Sequence, residues 1–146
     1  MNDEKNPNIA ALNKVYQNSR TAIEAIDCLI PKVKNTNMKK DLASQILGHH
    51  SLVKSSASKL HESNHYPHEV NFFNKIPLTA SLHLKSAVDS SDGHIAEILI
   101  ENSTSGMIEI QRSLNQCDNL THEVTEIGGE AIAFEQANIN KMRGYL

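Results

Sequence analysis

Apolar residues recur along the chain in steps of three and four, the spacing that places them on one face of an α-helix. Four long stretches follow this spacing: residues 9–34, residues 38–63, a third from about 90 to 116, and a fourth that ends near 143. In the first stretch the stripe consists of Ile9, Leu12, Tyr16, Ile23, Ile26, Ile30 and Val33. The pattern predicts an all-α protein with four long helices.

Residues that favour helix ends bound these stretches. Asn8 follows Pro7 and is predicted to be the first N-cap. Residues 1–8 are therefore expected to form a short disordered lead before a single domain over residues 9–146. Pro31 is expected to kink or shorten the end of the first helix. Asp118 or Thr121 is expected to cap the fourth helix, and Gly144 suits the position after its end.

The connections between the helices differ greatly in length. Residues 35–37 form a short polar turn, which predicts that the first two helices make an antiparallel hairpin. The last two helices make a second hairpin of similar length. Residues 64–90 join the hairpins, and within them residues 78–89 are predicted to form a short helix. Because adjacent ends need only a few linking residues, this connection predicts a crossover along the full bundle length.

The apolar face of the third helix changes direction part-way along. Ile95, Ile98 and Leu99 define its first half, and Met107 and Ile110 define a second half that is rotated by about one residue. The residues between the halves are rich in Ser, Thr and Gly. We therefore expect a kink, π-bulge or overwound turn over residues 101–107, with close helix contact as the alternative.

Composition narrows the class of protein. The net charge is −3 and no basic patch is present, which argues against nucleic-acid binding. No apolar run is long enough for a membrane span, and the first residues lack the apolar core of a signal peptide. Cys28 and Cys117 are the only cysteines, so reduced thiols in a cytoplasmic protein are expected.

Two matched hairpins, a long crossover and the sequence HIAEILIE at residues 94–101 resemble small bacterial ferritin-like proteins. The resemblance covers residues 9–146 in architecture. It implies an antiparallel ferritin-like four-helix bundle with a metal site at mid-bundle. Such sites take one Glu from each of two helices and a Glu-x-x-His pair from each of the other two. The metals implied are iron or manganese, and zinc is a less favoured choice.

Polar residues that interrupt the apolar stripes are the candidate ligands. They fall at similar levels of the two hairpins and comprise Asp27, His49, His94, Glu97, Glu101 and Glu135. The set departs from the family pattern, because Asn138 stands where a His would follow Glu135. Each residue also has a structural alternative: Glu135 as a carboxylate at the core edge, His49 as a hydrogen-bonded core histidine, and His94 as a helix cap.

The functional expectation is a degenerate mid-bundle site that binds a divalent metal. The alternative is a non-enzymatic structural or protein-interaction bundle that lacks the metal, which the missing Glu-x-x-His pairs favour. A zinc site formed by His61, His65 and His68 is a further alternative. No nucleophile elbow, phosphate loop or cysteine motif is present, so the sequence names no reaction.

A homodimer is the expected assembly. The connection carries an unusual number of apolar residues for a loop, and apolar patches of this kind tend to mark interfaces. They are Phe72, Phe73, Ile76, Leu78, Leu82 and Leu84. Packing of this segment across its own bundle is the alternative.

Overall fold

The computed structural model describes residues 5–69 and 90–146. These residues form four α-helices, which we name α1 (Pro7–Leu29), α2 (Thr36–Glu62), α3 (Asp92–Asn115) and α4 (His122–Arg143). A 3-10 turn at Ile30–Lys32 follows α1, and neither described range contains a strand. The prediction of four long helices is confirmed. The predicted short helix and the apolar residues behind the dimer prediction lie outside the described residues.

An Asn, Ser or Thr side chain caps the start of each of these four α-helices. Asn6 caps α1 by accepting a hydrogen bond from the Asn8 amide at 3.0 Å, so the prediction that Asn8 is the cap was wrong. Helix α1 begins at the proline after Asn6, because a residue without an N–H fits the first helical position. Asn35 caps α2, Ser91 caps α3 and Thr121 caps α4.

The ends of α1 and α4 test two further predictions. Helix α1 stops at Leu29, two residues before Pro31, as the shortening by proline predicted. Gly144 follows α4 with a φ of −67°, an ordinary right-handed value. Gly144 therefore lies directly after the end of α4, as predicted, without using the left-handed conformation that glycine permits.

Helix α2 ends where Asn64 adopts the left-handed conformation, with a φ of 58°. The amide of His65 then donates to the carbonyl of Leu60 at 2.9 Å, and the amide of Asn64 donates to the carbonyl of His61 at 2.9 Å. These two bonds form a Schellman motif, which satisfies carbonyls that the helix leaves open.

Helix α3 is continuous α-helix from Asp92 to Asn115, so the predicted π-bulge or overwound turn is absent from it. The Thr104 hydroxyl does donate back to the carbonyl of Ile100 at 2.8 Å, as hydroxyls in helices often do. The rotated apolar face is instead accommodated by small and polar residues. Gly106 is buried at mid-helix, and Asn102 and Ser103 are half-buried beside it.

Apolar side chains fill the two ends of the helix assembly. One end joins the C-terminal part of α1 to the starts of α2 and α3 and the end of α4, through residues that include Leu29, Met38, Leu42, Ile95 and Met142. The opposite end joins the start of α1 to the end of α2 and the start of α4, through Ile9, Ala11, Leu12, Leu60 and Val124. A third cluster, formed by Val15, Leu52, Ile110 and Ala131, lies between this end and mid-bundle.

Helix contacts follow the two hairpins. Helix α1 packs on α2 and α3 on α4, and α1 also contacts α3 and α4 while α2 contacts α4. Beside the α1–α2 turn, the Asp92 carboxylate accepts hydrogen bonds from the amides of Lys34 and Asn35, both at 2.8 Å. The Tyr145 hydroxyl donates to Asp41 at the same end.

At the opposite end, side chains join the start of α4 to α1 and α2. The Thr121 amide donates to Asn8 Oδ1 at 2.9 Å. Lys59 Nζ lies 3.5 Å from Glu123 Oε1. No helix within the described ranges is both long and apolar enough to cross a membrane.

Candidate functional site

Buried polar residues from three of the four helices meet between the apolar ends. We call Asn18 of α1, Gln45 and His49 of α2, and Glu135 and Asn138 of α4 the polar centre; α3 contributes Gly106 to its wall. Each of the five polar side chains is less than one-tenth exposed. The sequence prediction of polar groups at mid-bundle is therefore met by a real cluster, although its membership differs.

His49 and Glu135 form the most buried pair of titratable groups in the described residues. They are 1% and 3% exposed, and His49 Nε2 lies 3.8 Å from Glu135 Oε1. That separation is too long for a direct hydrogen bond. The Phe134 ring packs edge-on against the His49 ring with centroids 4.9 Å apart. Gly48 lies against the same Phe134 ring, so this helix surface has no room for a larger residue without movement of the ring.

Burial shifts both groups toward their uncharged forms. Burial raises the pKa of Glu135 to about 7, and the nearby Ser103 and Asn138 side chains oppose that rise. Burial lowers the pKa of His49 to about 4, and the charge of neighbouring His50 lowers it further. Near neutral pH, burial therefore favours the uncharged forms of both groups. The pair is thus a weakly charged polar contact and not a fixed ion pair.

Several atoms of this region have no hydrogen-bond partner among the described residues. They are Glu135 Oε2, His49 Nδ1, Gln45 Nε2, Asn138 Nδ2 and, at its edge, Thr21 Oγ1. Ser103 and Asn138 lie near the carboxyl but outside hydrogen-bonding geometry with Oε2. An unsatisfied buried polar atom costs about 1–3 kcal/mol. The polar centre is therefore a region of low stability or a place prepared for a further group.

The structure separates the predicted ligands into distinct places. His49 and Glu135 come together, whereas Asp27, Glu97 and Glu101 are exposed. His94 lies in the first turn of α3, where its Nδ1 is 3.1 Å from Glu97 Oε2. Across residues 5–69 and 90–146, no three or more His, Cys, Asp or Glu side chains are grouped to hold a metal ion.

The histidines at the end of α2 and just after it contact neighbouring groups. The His61 ring lies edge-on to Tyr66 with centroids 5.3 Å apart. His65 Nδ1 is 2.7 Å from the Ser63 carbonyl oxygen. The His68 amide donates to Asn13 Oδ1 at 2.8 Å. In the described part of the chain these three histidines form no metal group.

Sequence reasoning missed Asn18, Gly106 and Phe134. Asn18 Nδ2 donates to the Gly106 carbonyl oxygen at 3.3 Å and so ties α1 to α3 at the polar centre. A signal existed in the first helix, where Ser19 fills a place in the apolar stripe and Asn18 precedes it. Nothing in the local sequence identifies the partner of Asn18, because that contact joins residues far apart in the chain.

Two small cavities adjoin the polar centre. One, of about 80 Å³, lies between α1, α3 and α4 and is bounded by Asn18, Thr21, Gly106 and Glu135 among others. The other, of about 160 Å³, lies between α2 and α4 beside Gln45, Asn138 and Lys141. Polar side chains of the centre thus reach open space on two sides of the bundle.

Comparisons with protein-family models, with curated proteins and with solved structures find no match to this chain. The arrangement of its own side chains therefore carries the functional argument. That arrangement can hold a proton between burial-shifted groups, join helices through buried hydrogen-bonding residues, and offer oxygen atoms to a small guest.

Proposed function

We propose that the four helices form an antiparallel ferritin-like bundle. The end contacts support this arrangement: the start of α3 meets the α1–α2 turn through Asp92, and the start of α4 meets the start of α1 through Thr121. Helix α3 then runs opposite to α1, and α4 runs opposite to α2. The start of α3 and the end of α2 fall at opposite ends of the bundle, as a crossover connection requires.

The chain just after α2 supports the same topology. Glu69 accepts a hydrogen bond from the Tyr16 hydroxyl at 2.7 Å, and Gln17 Nε2 donates to the carbonyl of His68 at 3.4 Å. These contacts lie two to three turns inside α1, so residues 68 and 69 have already left the end of α2 and turned back along the bundle. Their direction is toward the end where α3 begins.

We propose further that the chain is a non-enzymatic structural or protein-interaction bundle, in which the polar centre joins the helices in one register. The observation that carries this proposal is the isolation of His49 and Glu135 from the other predicted ligands. A helix register that separated these buried polar side chains would place each of them against apolar surface, which is unfavourable. Fixing register is the best-attested role of such groups.

The described residues do not fit a ferritin-like di-metal centre. Such a centre requires several ionised carboxylates from different helices, with histidines completing each coordination sphere. Here one buried carboxyl faces one buried histidine, and burial favours the protonated form of that carboxyl. No reaction step is therefore assigned to a metal pair.

A single divalent ion between His49 and Glu135 is the second candidate. The 3.8 Å separation of Nε2 and Oε1 favours it, since zinc bonds of about 2.0–2.2 Å to each atom span that distance. Iron or manganese is the other choice that the ferritin-like arrangement implies. The ion would compete with the proton on Glu135, because only the carboxylate form binds metal well.

Metal loading separates the two candidates. The chain and its Glu135→Leu variant would be expressed in medium rich in iron and manganese, and metal content and thermal unfolding would be measured with and without added Mn²⁺, Fe²⁺ or Zn²⁺. A structural centre predicts less than about 0.1 metal ion per chain and no metal-dependent stabilisation of either protein. The exposed Glu97→Gln variant is the matched control. Stoichiometric metal that stabilises the parent and Glu97→Gln, but not Glu135→Leu, would establish the metal site instead.

A further inference from the structure

The cavity between α1, α3 and α4 differs from the His49 side of the polar centre in its chemistry. Its wall takes Asn18 and Thr21 from α1, Gly106 and Glu109 from α3, and Glu135 from α4. No Lys, Arg or His belongs to the wall that the described residues form. Glu109 Oε2 lies 3.7 Å from Lys14 Nζ, which offsets its charge. Glu135 has no cationic side chain on this wall, and its titratable neighbour outside the wall is His49, whose Nε2 lies 3.8 Å from Oε1 and whose pKa burial lowers.

Gly106 keeps this cavity open. A Cβ on Gly106 would lie 3.8 Å from Asn18 Oδ1 and 3.8 Å from Glu135 Oε1, so the two oxygens flank the space that a side chain would fill. The hydrogen bond from Asn18 Nδ2 to the Gly106 carbonyl uses one of the two N–H donors of that amide. The hydrogen bond orients the amide so that its acceptor oxygen, Asn18 Oδ1, faces the cavity.

Two polar atoms at this cavity have no hydrogen-bond partner among residues 5–69 and 90–146. They are Glu135 Oε2, on a side chain that is 3% exposed, and Thr21 Oγ1. Buried acceptors of this kind are normally satisfied by protein or by an ordered guest. A cavity of about 80 Å³ has room for a guest of a few heavy atoms and no more.

We propose that this cavity binds a small monovalent cation, with ammonium as the best match. Its N–H groups can donate to the oxygens of Glu135, Asn18 and Thr21, which together present acceptors from two helices. One carboxylate balances one positive charge, whereas a divalent ion in this cavity would leave one positive charge unbalanced. Entry of the cation favours the ionised carboxyl, so the proton of Glu135 leaves to solvent as the cation binds. This inference goes beyond the structural role proposed above and does not require a metal at His49.

Thermal unfolding in matched salts tests the proposal. The chain would be unfolded in ammonium, potassium, sodium and tetramethylammonium chloride at equal ionic strength and fixed pH. Ammonium should stabilise it in a saturable way, raising the ratio of folded to unfolded protein about 10-fold when its concentration is nine times Kd. Tetramethylammonium, which has no N–H donor and is larger, should not. An equal or greater saturable shift in potassium or sodium would overturn the choice of ammonium and assign an alkali-metal ion.

Two variants localise the effect. Gly106→Ala places a methyl group in the cavity at ordinary contact distances, so the protein should fold but lose the ammonium shift. Glu135→Gln keeps the shape and removes the charge, and should also lose it. Gly129→Ala is the control, because nothing lies within 4 Å of its added Cβ, and it should keep the full shift. Equal shifts in all four salts, or an undiminished shift in Gly106→Ala, would overturn the proposal. The salts are compared on metal-free protein, because a divalent ion between His49 and Glu135 would bind the same carboxylate.

Discussion

The ends of the bundle and its middle are built on different principles. At the end that contains Leu29 and Met38, apolar side chains from all four helices bury each other almost completely. At mid-bundle the same helices present amides, an imidazole and a carboxyl, several of whose atoms lack partners among the described residues. The apolar ends therefore stabilise the fold, whereas the buried polar groups at mid-bundle lower its stability.

This contrast indicates that the functional residues lie in the polar middle of the bundle. An apolar middle would stabilise four helices at least as well, since replacing buried polar pairs by apolar residues is often neutral or favourable. A polar middle has a use only if it fixes register, holds a proton or binds a guest. The following variants test this division, starting with the largest expected effect.

Two substitutions three residues apart on α2 compare the regions directly. Leu42→Ala removes a fully buried side chain at the apolar end and should lower the free energy of unfolding by about 2–5 kcal/mol. Gln45→Leu removes a buried, unpartnered donor from the polar centre and should be neutral or stabilising by about 1 kcal/mol. Urea unfolding measures both. Leu47→Ala, at a residue 72% exposed on the same helix, is the control and should change little. If Gln45→Leu lowered the free energy of unfolding as much as Leu42→Ala, the apolar end and the polar centre would not differ in the way described.

Loss of the hydrogen bonds between Asp92 of α3 and the α1–α2 turn should have a smaller effect on the free energy of unfolding. Asp92→Ala removes the acceptor for the amides of Lys34 and Asn35, and should cost about 1–2 kcal/mol because the site is near the surface. Asp92→Asn keeps one acceptor oxygen and should lose less. Hydrogen exchange of the Lys34 and Asn35 amides reports the same contact residue by residue. Unchanged protection of both amides in Asp92→Ala would show that these hydrogen bonds do not hold α3 against the α1–α2 turn.

Substitution of two adjacent glycines on α4 by alanine should change stability by different amounts. Gly129→Ala adds a methyl group to open surface and should stabilise by about 1 kcal/mol through helix propensity. Gly128→Ala places a Cβ 2.7 Å from Leu114 Cδ2, so Leu114 must move and the variant should be destabilised relative to Gly129→Ala. Thermal unfolding of the pair gives the difference. Equal stabilisation would mean that Leu114 repacks without cost.

Much of the fold was accessible from the sequence because helical periodicity is a local property. Steps of three and four located the helices within a few residues, and Pro31 correctly shortened α1. The caps were less secure, since Asn6 and Asn8 both suit the role and the choice depends on backbone angles. The face rotation in α3 was read as a backbone defect. It is absorbed by side-chain size, with Gly106 buried where a larger residue would be expected.

The site was predicted only in part, for a physical reason. His49 and Glu135 interrupt strong apolar stripes, so their burial could be inferred from their own helices. Whether they meet Asp27 or Glu101 depends on helix rotation, to which a one-residue error adds about 100°. An error of that size is enough to predict that an exposed carboxylate points into the bundle. Asn18 and Gly106 were missed because their roles arise from the packing of α1 on α3.

The pH dependence of stability tests most directly whether the buried His49–Glu135 pair is held in its uncharged form. Between pH 4.5 and 6.5, the raised pKa of Glu135, about 7 against 4.5 unfolded, leaves more protons on the folded state, so its contribution to stability falls as pH rises. The lowered pKa of His49, about 4 against 6.5 unfolded, has the opposite sign, and its contribution rises with pH. In the parent chain the two contributions oppose each other. The measurement is the free energy of unfolding of Glu135→Gln and of His49→Gln, each relative to the parent, across this window. Relative stability should rise with pH in Glu135→Gln and fall in His49→Gln, each by up to about 1.4 kcal/mol per pH unit. Slopes of the reverse signs would show a charged ion pair and contradict the account.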